Sequence, residues 1–74
     1  MGIMHVLGKS GDSETLWEPA DPQSVKQARW RFEEYRRRGL LAFEASEAGA
    51  EAVNVRDFHP EAGEIVFTRP LIGG

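Results

Sequence analysis

The sequence predicts an α+β domain: a mixed sheet of four to five strands with one long helix laid across it. Three observations carry that expectation. One long segment repeats its apolar residues at helical spacing, the segments on either side alternate them at strand spacing, and turn residues separate those strands.

The helix is the clearest element. Asp21 can cap the free amides of a first turn, Pro22 has the fixed φ that suits the first helical position, and Gly39 can adopt the left-handed conformation that ends a helix. Between these signals Val25, Ala28, Phe32 and Tyr35 recur at steps of three and four, forming one apolar stripe. The spacing predicts a helix from Pro22 to Arg38, roughly 25 Å long at 1.5 Å per residue.

Ahead of it, Ile3 to Leu7 and Glu14 to Glu18 read as a hairpin around a turn at Gly8-Lys9-Ser10-Gly11-Asp12. After it, Leu41, Phe43 and Ala45 alternate with Ala42 and Glu44. Val53 and Val55 alternate with Asn54 and Arg56, and Ile65 and Phe67 with Val66 and Thr68. Residues 47–50 and 59–63 are read as the intervening turns. A helix with one apolar stripe and strands with one apolar face close a core as a helix over one sheet face. The expected core is Val25, Ala28, Phe32, Leu41, Phe43, Val53, Val55, Ile65 and Phe67.

With 74 residues, the chain is sized for one domain, residues 1–74. The 41% hydrophobic and 28% charged fractions lie in the range of chains that fold. The absence of cysteine excludes disulfide staples, thiolate catalysis and thiolate zinc sites. No apolar run approaches the roughly 20 residues of a membrane-spanning helix, and the start MGIMHVLGKS lacks the regions of a secretory signal. A cytoplasmic protein without membrane attachment is expected; Val6 stands where a myristoylation motif wants Ser or Thr.

The net charge of −3 argues against nucleic acid as a default partner. The charge is unevenly spread. Residues 26–38 hold six basic residues against Glu33 and Glu34, leaving +4, whereas the remaining three basic and ten acidic residues leave −7. Phosphate neutralisation could use such a helix. A solvated face, with Arg36, Arg37 and Arg38 at the negative end of the helix dipole, is the preferred reading, and docking to an acidic partner is the other use.

At the C-terminal end Pro70 cannot donate to a ladder and Gly73-Gly74 carry no anchoring side chain, so residues 70–74 are expected to project from the sheet. Two strands, a helix and further strands ending in Glu64-Ile65-Val66-Phe67-Thr68-Arg69-Pro70-Leu71-Ile72-Gly73-Gly74 resemble the β-grasp proteins, among them ubiquitin and the small sulfur carriers of molybdopterin and thiamine biosynthesis. The tail is similar to that of the molybdopterin synthase small subunit: an acidic residue, an apolar strand, a proline pair, an aliphatic residue, a small residue and Gly-Gly. Here Arg69 replaces the first proline and Ile72 the small residue. No alignment of the helix or the first hairpin supports the resemblance.

The resemblance implies a β-grasp fold and a protein that is a substrate rather than an enzyme, with no bound cofactor. An adenylating enzyme using ATP would activate the Gly74 carboxylate, and the product would pass to a sulfur acceptor or to a conjugation target. Gly73 and Gly74 would thread a channel too narrow for a Cβ. Arg69, Pro70, Leu71 and Ile72 would bind that enzyme. The class opposed to it is an interaction module whose tail is never activated.

No other cluster carries chemistry. His5 and His59 have no Asp or Glu at zinc-ligand spacing, so no metal is expected. Gly8-Lys9-Ser10-Gly11 lacks the spacing of a phosphate-binding loop, and no serine sits in a nucleophile elbow. Trp30 falls off the apolar stripe, beside Lys26, Glu33 and Arg37. Trp30 and Arg37 are a candidate partner surface; the alternatives for Trp30 are cover by the loop at residues 48–50 or stacking on a neighbouring arginine.

Overall fold

One helix stands between two strands and three, in the order the sequence predicts. In the computed structural model, which describes residues 1–7, 14–47 and 49–70, the order is β1 (Gly2–Val6), β2 (Thr15–Trp17), α1 (Pro22–Arg37), β3 (Leu41–Ala45), β4 (Val53–Val55) and β5 (Glu64–Thr68). The turn expected at residues 8–12 and the tail residues 71–74 lie outside the described residues.

The helix starts and stops where its end signals stand. Asp21 is the N-cap, with Oδ1 accepting from the Gln23 amide at 3.1 Å, and Pro22 occupies the first turn. Ser24 Oγ reaches back to accept from the Glu18 amide at 2.9 Å, tying the helix to the end of β2. At the other end Arg38 is the C-cap, and Gly39 follows at φ 91°, a conformation that disfavours a side chain. The Gly39 amide donates to Arg36 O at 2.9 Å and the Leu40 amide to Tyr35 O at 3.2 Å, the paired bonds of a Schellman stop.

The five strands form one sheet in the order β2-β1-β5-β3-β4. β1 and β5 run parallel; the other neighbours are antiparallel, so the sheet is mixed. Its register sorts the side chains. Met4 lies opposite Ile65, Val6 opposite Phe67, and Ala42 opposite Phe67 on the far side. These residues are buried together with Trp17 and with Ala28, Phe32 and Tyr35 of α1. The Phe67 ring meets Phe32 at 5.3 Å and Tyr35 at 4.9 Å between centroids, so helix and sheet close on each other through aromatic contacts.

Three expected core residues are placed differently. Leu41 and Phe43 are only half-buried, and it is Ala42 that packs fully under the helix. The reason is register. Phe43 pairs with Val66 and Leu41 with Thr68, the outward-facing residues of β5, so both face opposite to the expected side, while Ala45 at the end of β3 is buried. Glu44 shares the inner face with Ile65, and its carboxylate finds His59 at the margin. Val53, on edge strand β4, is 55% exposed, while Val55 is half-buried against the core and Val25 likewise.

Two core residues come from the segment between β4 and β5. Phe58 and Ala62 are buried, with the Phe58 ring 5.1 Å from Trp17 and 5.9 Å from Phe32. The Trp17 indole donates to Pro60 O at 2.8 Å, which fastens this segment over the open end of the core. Gly63 completes the closure: its amide donates to Ala45 O at 3.0 Å, and a Cβ there would run into the Ser46 backbone.

Candidate functional site

The predicted tail leaves from the best-supported strand of the sheet. β5 is paired on both sides, to β1 from Glu64 to Phe67 and to β3 from Glu64 to Thr68. The Leu7 amide adds a bond to Phe67 O at 2.8 Å, just past the end of β1. Thr68 is the last paired residue, and Arg69 and Pro70 follow it exposed. Leu71, Ile72, Gly73 and Gly74 lie outside the described residues.

The surroundings of that exit are partly apolar. Leu7, one step beyond the Val6–Phe67 pair, is 61% exposed, and half-buried Leu41 lies opposite Thr68 on the other side. Neither was singled out by sequence reasoning as a site residue. Leu7 reads there simply as the last apolar residue of a strand, and only the register puts it beside the exit.

Trp30 is 58% exposed, off the core stripe as its helical position requires. It lines an open cleft of about 380 Å³ with Leu16 and Arg31, between α1 and the free edge of β2. Arg37 lies seven residues further along, roughly 10 Å up the helix axis, with Nη1 donating to Glu34 Oε2 at 3.3 Å. Arg37 is at the end of α1 that leads into Leu41, so it lies toward the tail, and Trp30 does not.

Three further arginines of this segment have partners too. Arg29 lies 5.4 Å from the Phe58 ring centroid and Arg38 6.0 Å from that of Tyr35, while Arg36 Nη1 donates to Leu40 O at 2.9 Å. Arg29, Arg36 and Arg38 therefore also hold the flanks and the C-terminus of this helix in place.

Both histidines are paired with glutamates from distant segments. His5 Nε2 lies 3.1 Å from Glu64 Oε2 on the uncovered sheet face, and His59 Nδ1 lies 2.5 Å from Glu44 Oε1. These pairs join neighbouring strands and the 58–62 segment. Among the described residues no group of three His, Asp or Glu side chains is arranged to hold a metal ion. Among them, too, no helix is long and apolar enough to cross a membrane. A second cleft of about 370 Å³, lined in part by Met1, Ile3, Leu16 and Gly63, sits at the end of the sheet away from the tail.

No family model, curated protein or solved structure matches the chain.

Proposed function

We propose that the chain is a cytoplasmic β-grasp carrier whose Gly74 carboxylate is adenylated by a separate enzyme and then handed on, as a thiocarboxylate or as an amide to a target amine. The observation that supports this most is the position of β5. It is the central strand, held by β1 and β3, and the core residues it supplies end at Phe67. Residues from Arg69 onward can therefore enter another protein's channel without disturbing the core. The element order of two strands, helix and three strands supports the β-grasp reading in the same way.

Within this reading Leu71 and Ile72 fill an apolar groove on the activating enzyme, worth about 1.5–3 kcal/mol each if fully buried. Arg69 sits at its rim and sets partner choice by charge. Glycine at 73 and 74 lets the backbone pass where a Cβ would clash. Adenylation makes the carboxylate an electrophile: its oxygen attacks the α-phosphate of ATP, pyrophosphate leaves, and sulfur or a thiol then displaces AMP.

The test uses protein isolated from its own host. An intact mass ending at Gly74, raised by the difference between sulfur and oxygen, identifies a carrier; branched Gly-Gly on lysines of other proteins identifies a modifier. Deleting Gly74, or adding one residue after it, is expected to abolish ATP-pyrophosphate exchange with the activating enzyme and leave thermal unfolding unchanged. Full function of both variants in the host would remove the carrier reading in favour of an interaction module, which the exposure of Trp30 and Leu16 would then have to explain.

A further inference from the structure

The outward face of α1 carries one stripe that the core does not use: Gln23, Lys26, Trp30, Glu33 and Arg37, all exposed, at steps of three and four. Trp30 stands at its centre, with one positive side chain before it and one negative side chain after it at distances that differ by one residue. Lys26 precedes Trp30 by four residues and Glu33 follows by three; Gln23 and Arg37 lie seven residues away on either side. Among the described residues neither Lys26 nor Glu33 takes part in an ion pair.

We propose that this stripe is a self-complementary docking surface, on which a second copy of the chain packs its own α1 antiparallel about a two-fold axis beside Trp30. A two-fold axis across the helix, crossing it between residues 29 and 30, sets Lys26 against position 33 of the partner copy and brings positions 23 and 37 opposite each other to within one residue. Lys26 then faces Glu33 of the other copy, twice. Gln23 faces Arg37, whose guanidinium keeps donors beyond the one given to Glu34, and the two Trp30 rings meet at the centre. A parallel arrangement would set Lys26 against Lys26 and Glu33 against Glu33, so the charge pattern selects the antiparallel one.

One helix stripe is a small contact, in the class of weak and transient interfaces. The association is therefore expected to show only at high protein concentration. It uses no residue of the uncovered sheet face, and it stands or falls independently of the tail's activation.

Sedimentation of the full chain across a concentration series up to about 1 mM tests it. The chain is expected to dimerise reversibly, and Trp30→Ala, Lys26→Glu and Glu33→Lys each to lower the association constant by about tenfold or more. The decisive sample is an equimolar mixture of Lys26→Glu and Glu33→Lys. Each alone sets like charges face to face, whereas the mixed pair restores both opposite-charge contacts, so the mixture dimerises where its components do not. Circular dichroism of each variant verifies that α1 is intact. A chain that stays monomeric up to that concentration overturns the proposal. So does self-association indifferent to Trp30→Ala and Lys26→Glu, or a mixture that associates no better than its components.

Discussion

The centre and the margin of the sheet use apolar residues in different ways. In β5 the pattern and the burial agree: Ile65 and Phe67 are fully buried, and Glu64, Val66 and Thr68 between them face the uncovered side. In β3 and β4 they diverge, since Ala42 is buried, Phe43 half-buried, and Val53 exposed. The difference lies in cover. β1 and β5 lie under α1, whose Phe32 and Tyr35 rings occupy the space above Phe67, leaving room for only a methyl at Ala42. Toward β4 that cover thins, and an apolar side chain there gains little by facing inward. Alternation thus shows that a strand has two faces, but available space decides which one is inner.

Mutations can break or sharpen this contrast. The largest effect is expected at the centre: Phe32→Ala should cost about 3–5 kcal/mol, measured by urea denaturation, because it opens a cavity among Phe58, Phe67 and their neighbours. Phe43→Ala, from the uncovered face, should cost about 1–2 kcal/mol. Equal losses at the two phenylalanines would mean that β3 is covered on both sides.

Overpacking probes the same space from the opposite direction. Ala42→Leu is expected to destabilise by about 1–3 kcal/mol, with Phe43→Leu below about 1.5 kcal/mol. Gly63→Ala belongs with the first of these, since its methyl meets Ser46 backbone that is tied down by the bond from Gly63 to Ala45. Should Ala42→Leu leave the denaturation midpoint unmoved, the space under α1 is larger than the aromatic contacts imply.

Asp21→Ala removes the acceptor of the Gln23 amide and should cost about 1 kcal/mol, with the helical dichroism signal kept and the thermal midpoint lowered. The smallest effect is expected at the margin. Val53→Thr should change stability by no more than about 0.5 kcal/mol, and a loss above 1 kcal/mol would show that β4 is covered after all.

The exposure of Arg69, Pro70 and Trp30 was legible for the same reason that β5 was. Pro70 marks the end of ladder bonding in any strand, and Arg69 and Pro70 are exposed beyond Thr68. Trp30 was found off the apolar stripe because helical geometry fixes its direction wherever α1 packs. Leu7 was missed: its proximity to the tail exit depends on a parallel pairing between strands nearly sixty residues apart. The pairing of each histidine with a glutamate was missed likewise, since neither pair is close in sequence.

The sequence by itself determined the elements and the ends of the helix. Asp21, Pro22 and Gly39 act on their own backbone within one turn, so their effect needs no partner from elsewhere in the chain. Tertiary structure alone decided the facing of β3, the burial of Phe58 and Ala62 in an aperiodic segment, and the fastening of that segment by Trp17 to Pro60. Each of these depends on the space left by side chains distant in sequence. Local preference carries no information about that space: a phenylalanine is more apolar than an alanine, yet under α1 only the alanine fits.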